Sequence, residues 1–313
     1  MSDTQRLTNE LYAAAGQQCV TAPDIAHVEI HGNEILGVHA VEGLAVDARP
    51  EGEVLDVTMR IADNARIVQP IRVCFGMLGQ QGRQEINMHV VVGSNARAAV
   101  LAACTFPNAR GIEHVMKTDI TIRRGAHYAY YERHVHGGEG GVEVVPRTEV
   151  VLEEAASFQT DFEVIRGRAG KIDLEYDARC MKNSVLTMTA RISGRDDDAI
   201  KVHEKAHLKG EYARAALTTN VAVAGRAQAD IRNTLIASAP YARGHVDCKE
   251  IIRDRAVARA VPIVEVRDPG AHVTHEAALG SVDSKQLQTL MARGLSEEAA
   301  TELIIEGMLQ PAA

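Results

Sequence analysis

From Ile25 onward, apolar residues recur at every second position. Val28 and Ile30 alternate with polar neighbours and run into the turn signal Gly32-Asn33. Val57, Met59 and Ile61 repeat the pattern, as do Ile120 and Ile122. Gly125 interrupts, and Ala126, Tyr128 and Tyr130 resume it. Phe158, Thr160, Phe162 and Val164 form another face, closed by Gly167 and Gly170. Ile172, Leu174 and Tyr176 follow, then Leu186, Met188, Ala190 and Ile192, with Gly194 behind them. Val221 and Val223 precede Gly225, and Ala227, Ala229 and Ile231 come after it. A period of two belongs to strands, whose successive side chains point to opposite faces. No amphipathic helices lie between the runs, which excludes a doubly wound sheet. Short strands with small turns leave a sandwich, a barrel or a β-solenoid. No fixed-length repeat is visible to choose among them.

The period changes to that of a helix at both ends. Leu7, Leu11 and Ala14 fall at helical spacing within Thr4 to Ala15, and Gly16 would end that helix. Near the C-terminus, Asp283 followed by Gln286 makes a start resembling a capping box. Leu287, Leu290 and Met291 then share a face, and Gly294 stops the helix. Ser296 caps a second helix with Glu297 and Glu298 in its first turn, where the helix dipole favours acids. Its apolar face carries Ala300, Leu303, Ile304 and Met308. These two faces either cap the end of the β region or dock a partner. The chain thus divides into an N-terminal helical segment (1–24), a β core (25–280) and a C-terminal helical segment (281–313).

Composition narrows the picture. The 313 residues are 46% hydrophobic but only 4% aromatic, with no Trp. The core must therefore be built from Val, Ile, Leu and Ala, which suits stacked strands. A net charge of −8 argues against a phosphate-binding surface, so nucleic acid is not an expected partner. No run of about 18 apolar residues exists to span a membrane. No apolar stretch follows Met1 to Arg6, so no signal peptide is expected and the expected location is cytoplasmic. Five cysteines then read as reduced thiols, not as a disulfide framework.

Three places carry candidate chemistry. Gly244-His245-Val246-Asp247-Cys248, followed by Thr274-His275-Glu276, offers a thiolate, an imidazole and a carboxylate. Thiolate is a soft ligand suited to iron in iron–sulfur sites, and carboxylate is a harder, more exchangeable one. On a strand His275 and Glu276 point to opposite faces, so both need not ligate. His203-Glu204-Lys205-Ala206-His207 is a literal H-E-x-x-H, but zincin chemistry needs it on a helix with a third ligand. The neighbouring alternation reads as strand, and the third position, Ala213, cannot ligate. His134-Val135-His136 resembles the His-x-His of cupin metal sites, although a solvated strand end beside Gly137-Gly138 explains it as well. An all-β metal-dependent enzyme, cupin-like or zinc, is thus the alternative function. Neither G-x-x-x-x-G-K-[ST] nor G-x-G-x-x-G is present, so any ATP dependence must come from a partner.

The run Ala242 to Ile252 resembles the C-terminal cysteine motif of the SufB/SufD family, the scaffolds of SUF iron–sulfur assembly. Pro262 to Val266, Val273 to Ala278, and the closing segments around Gln286-Leu287, Arg293-Gly294-Leu295 and Ile304 to Leu309 resemble the blocks that follow it. Ala103-Cys104-Thr105-Phe106-Pro107 resembles the family's Cys-Thr-x-Pro element. The resemblance covers roughly residues 50 to 310, and the chain is most similar to the short, single-scaffold SmsB type. It implies a right-handed parallel β-helix core with a C-terminal helical part, and a scaffold that is not itself an enzyme. It implies Cys248 and Glu276, with His275 as a less favoured third, as ligands of a transient cluster at a scaffold dimer interface. Two copies would supply four ligands by symmetry, enough for a four-iron cluster. Cys104 would accept sulfur. Leu287, Leu290, Met291, Leu303 and Ile304 would dock a SufC-type ABC ATPase. The remaining implied partners are a second scaffold (identical or paralogous), a cysteine desulfurase or other sulfur donor, and recipient apo-proteins. Cys19, Cys74 and Cys180 match no functional element and read as structural.

Overall fold

The computed structural model describes residues 2–17 and 22–310. Cys19 lies outside the described residues. Helix α1 (Asp3–Ala14) comes first. Hairpin β1 (His27–His31) and β2 (Glu34–His39) follows, then β3 (Leu44–Glu51) and β4 (Val54–Ile61), also antiparallel. Gly32, with φ +57°, makes the first hairpin's turn where the sequence signals one. From there the chain winds as a solenoid of about eight turns, 58% strand and 11% helix overall.

Each turn gives one strand to each of two sheets. The odd strands are β5 (Ile71–Gly76), β7 (Arg97–Phe106), β9 (His127–His136), β11 (Ser157–Arg166), β13 (Val185–Gly194), β15 (Arg214–Val223), β17 (Arg243–Ile252) and β19 (His272–Gly280). They stack in parallel beyond β1 as the first sheet. The even strands are β6 (Gln81–Val92), β8 (Gly111–Ile122), β10 (Val142–Leu152), β12 (Lys171–Cys180), β14 (Ala199–Leu208), β16 (Gln228–Ala237) and β18 (Val257–Val266). They stack beyond β4 as the second.

A repeat is present after all, but its length drifts. Leu55 pairs with Ile86, 31 residues on, Arg97 with His127 (30), Arg214 with Arg243 (29) and Lys171 with Ala199 (28). In every turn but the last, one corner takes a left-handed residue. Asn64, Asn95, Gly125, Ala155, Asn183, Tyr212 and Tyr241 fill it in succession, all with φ near +60°. Gly and Asn tolerate that region, whereas Ala and Tyr do so at a cost. The amide of Asn95 donates to Arg124 O and that of Gly125 to Glu154 O, so each corner is tied to the next.

The alternating residues named from sequence form one continuous core between the sheets, among them Val57, Tyr128, Phe158, Leu174, Met188 and Ile231. Tyr128 and Phe158 stack with ring centroids 5.8 Å apart. Helix α1 covers the outside of the first sheet near its start, burying Leu11 and Tyr12 against Cys74, and Tyr12 Oη donates to Glu29 Oε1 at 3.0 Å.

At the other end α2 (Ser284–Met291) and α3 (Glu297–Leu309) carry the expected caps. Asp283 accepts from the Gln286 amide at 2.7 Å and Ser296 Oγ from the Ala299 amide at 3.2 Å. The face that packs differs from the expected one. Ala300, Thr301, Ile305 and Leu309 are buried, whereas Leu303 is 47% exposed. Ile305 and Leu309 meet Ala222 and Ile251 on the outside of the first sheet. Arg191 Nη1 donates to Leu309 O at 2.7 Å and Asn220 Nδ2 to Met308 O at 3.0 Å. Helix α3 therefore runs along the side of the solenoid at β13 and β15 and does not cap its end.

Candidate functional site

Strand β17 brings Val246, Cys248 and Glu250 to the inner face, and all three are buried. Register with β19 assigns the rest. His275 pairs with Val246 and Ala277 with Cys248, while Glu276 pairs with Asp247. His275 therefore shares the face of Cys248, and Glu276 lies on the opposite, outer face beside Asp247. Within one chain the structure does not bring Cys248 and Glu276 together.

Glu250, which the sequence reading passed over, shares the inner face instead. It is 1% exposed and neither carboxylate oxygen has a hydrogen-bond partner. Burial, and then Asp247, push its pKa up to about 7. Burial, then the acids Glu250, Glu204 and Asp247, push the Cys248 thiol up to about 12. The solenoid is open here, since β18 and β19 end their sheets. Val266 and Leu279 pair with the buried positions Ala237 and Glu250, yet are 47% and 50% exposed.

Next inward lies a polar layer. Thr219 pairs with Cys248. Thr219 Oγ1 donates to Glu204 Oε2 at 3.2 Å, and Asn233 Nδ2 reaches Glu204 Oε2 at 3.2 Å and Thr219 Oγ1 at 2.8 Å. Glu204 is the Glu of the H-E-x-x-H run. It points into the core, and burial raises its pKa to about 7. His203 and His207 occupy the outer face of β14. Four residues along a strand separate them by about 13 Å, far beyond the span of one zinc ion. The motif forms no zincin site.

A second cluster lies in the middle of the solenoid. Cys104 on β7 pairs directly with His134 on β9, and Glu132 shares their inner face two residues earlier. Cys104 Sγ is 3.8 Å from Glu132 Oε1, and His134 Nε2 is 2.7 Å from that same oxygen. His114 crosses from β8 in the other sheet, its ring centroid 5.9 Å from that of His134. Burial lowers the pKa of His114, His134 and His136 to about 3 each, so all three are neutral at pH 7. Burial raises Glu132 to about 7 and Cys104 well above its ordinary value.

His134 and His136 are thus not at a solvated strand end; both face the core. Nor do they line the mouth of a cupin barrel, since the fold is a solenoid. Cys104 lies five strand spacings from Cys248, about 24 Å at roughly 4.8 Å each. Between them on the second sheet runs an inward polar ladder, Thr148–Tyr176–Glu204–Asn233. Cys180 is buried in the main core, and its thiol is pushed up to about 12. Leu287, Leu290 and Ile304 are half-buried, whereas Met291 and Leu303 are exposed. No helix among the described residues is long and apolar enough to cross a membrane.

Fold and donors together define a parallel β-solenoid that holds thiol, imidazole and carboxylate groups inside its bore and at one open end. The chain belongs to the SufB/SufD family: the family described as SUF system FeS cluster assembly, SufBD core domain, matches residues 76–308. Similar relatives are archaeal and bacterial. An iron–sulfur cluster assembly SufBD family protein of Methanocaldococcus jannaschii is 33% identical over 277 residues, covering 88% of each chain. Another of Pyrococcus horikoshii is 34% identical, covering 91% of this chain and 87% of its own. The iron–sulfur cluster assembly protein SufB of Bacillus subtilis is 22% identical, over 80% of this chain and 54% of its own.

Proposed function

We propose that the chain is a non-catalytic scaffold on which a nascent iron–sulfur cluster is assembled and from which it is transferred. The observation that carries this reading is the convergence of Cys248, His275 and Glu250 on the inner face at an uncapped solenoid end. The cluster is cargo, so its ligands should be few, mixed and releasable. One thiolate with imidazole and carboxylate partners meets that need.

A second scaffold, identical or paralogous, stacks on the open end and doubles the donor set. Glu276, on the outer face of the last strand, becomes a ligand only if that partner or a rearrangement of β19 brings it to Cys248. A four-iron cluster fits four or more donors. Closed burial keeps Cys248 protonated, so loading needs the interface to open. An ABC-type ATPase docked on α2 and α3 would supply that motion, since the chain carries no nucleotide-binding motif of its own. In this reading Cys104 accepts sulfur from a desulfurase or other donor, the polar ladder lies on the way to Cys248, and the whole operates in the cytoplasm.

Anaerobic reconstitution with iron and sulfide tests the reading. Wild type with its ATPase should retain both, and Cys248→Ser should retain less than a tenth as much with an unchanged circular dichroism spectrum. Wild-type iron and sulfide in Cys248→Ser would overturn the assignment. Glu250→Gln and Glu276→Gln, compared in the same assay, decide which carboxylate ligates.

A further inference from the structure

The mid-solenoid cluster closes its proton inventory only with one extra proton, or a cation, between His134 and Glu132. His136 Nδ1 lies 3.0 Å from Arg168 O. A carbonyl only accepts, so His136 Nδ1 carries the hydrogen and its Nε2 carries a lone pair. That Nε2 faces His134 Nδ1 at 3.3 Å, so His134 Nδ1 donates. A neutral His134 then has a bare lone pair on Nε2, and this nitrogen is 2.7 Å from Glu132 Oε1. Two acceptors face each other unless a proton or a cation lies between them. Opposite, His114 is 1% exposed and neither of its ring nitrogens has a partner. Cys104 Sγ completes the group, with one ligand atom each of Cys104, Glu132 and His134 lying within 4.8 Å of one another.

We propose that Cys104, Glu132 and His134, joined by His114 once its unpartnered ring turns toward them, bind a single divalent transition-metal ion of borderline softness, of the iron(II) or zinc(II) kind, inside the solenoid. The donor set is one sulfur, one oxygen and two imidazole nitrogens, the mixture such ions select. A thiolate and a carboxylate balance a 2+ charge, so the loaded site is neutral overall, as a dry interior requires. Tetrahedral ligation at 2.0–2.3 Å places donor atoms roughly 3.3–3.7 Å apart. The Cys104–Glu132 separation, 3.8 Å, must close by about 0.1 Å, and the Glu132–His134 contact, 2.7 Å, must open by roughly 0.6 Å or more. His136 is the outer partner that orients a ligating imidazole through its other nitrogen. This site is separate from Cys248 and does not depend on the assembly reading. A metal there would hold Cys104 as thiolate, the form a sulfur acceptor needs.

The interior is closed, so the metal should be supplied during synthesis. The chain is produced with Cys248→Ser, to remove the other thiolate site, in medium supplemented with cobalt(II). The purified protein should hold about one cobalt per chain and show a thiolate-to-cobalt charge-transfer band. Adding Cys104→Ser should lower bound cobalt at least tenfold and abolish the band. Should that variant not fold, His114→Phe, which keeps the ring volume against Phe106, should lower cobalt retention at least tenfold on its own. Cobalt-free protein, or cobalt indifferent to Cys104 and His114, overturns the proposal. Failure of cluster reconstitution in wild type with the cobalt band intact overturns the assembly reading alone.

Discussion

For single side chains, burial sets protonation, and protonation sets a pH dependence that can be isolated. Glu204 is 2% exposed and has its pKa raised from 4.5 to about 7, mainly by burial. The folded chain therefore binds more protons than the unfolded one between these values. Its contribution favours folding below about 4.5 and is lost as pH rises through about 7. A shift of that size is worth roughly 3 kcal/mol at most. Glu204→Gln keeps an oxygen to accept from Thr219 and Asn233 but cannot ionise. Urea melts from pH 5 to 8 should show the wild-type curve falling more steeply than the Gln curve, with the variant more stable at pH 8. The buried histidines act in the opposite sense: their lowered pKa values remove stability as pH falls below 6.5 in both proteins, so the difference between the curves isolates Glu204. Identical slopes would show that Glu204 is solvated in solution.

The same residue shows what was legible beforehand and what was not. Ala126, Tyr128 and Tyr130 announce an inward phase on β9, and Glu132, His134 and His136 continue it without a break. Polarity alone suggests solvent for the last three; phase says core. Val202, Glu204 and Ala206 on β14, and Val246, Cys248 and Glu250 on β17, repeat the lesson. A buried polar ladder breaks hydrophobic alternation without breaking the strand, so periodicity counted on apolar residues stops too soon.

For the elements, strand faces and helix caps were readable because each depends on neighbours in sequence. The solenoid turn was not, because corners absorb 28 to 31 residues and keep no common motif. Which face of α3 packs was also unreadable: Ile304 and Ile305 are equally apolar, and only β15 decides between them. That decision separates stability from docking. Ile305→Ala removes a buried side chain against Ala222 and should cost about 2 kcal/mol or more in a thermal melt. Met291→Glu and Leu303→Glu change exposed positions, 41% and 47%, and should leave the melt unchanged. If α2 and α3 dock the ATPase, each charge should weaken co-purification at least tenfold, because an unpaired charge in a closed interface is costly. Unchanged binding in both variants would move the docking surface elsewhere.

For the molecule as a whole, a solenoid hides its backbone edges along its length and leaves them only at its ends. The first end is closed by antiparallel hairpins and flanked by α1. Among the described residues the last turn has no such cover, because α3 turns back along the side instead of crossing the bore. Inward apolar residues of β18 and β19 are consequently half exposed, and unpaired strand edges invite another chain. That asymmetry supports the proposal that a second scaffold docks at the end that carries Cys248. Val266→Glu with Leu279→Glu puts two charges on this surface without touching the packed turns beneath. Sedimentation should shift from dimer to monomer with little change in melting temperature. Cluster retention should fall with it, since one chain offers only half the donors. A double variant that stays dimeric would place the interface on another face, and retention by a monomer would mean that Cys248, His275 and Glu250 suffice alone.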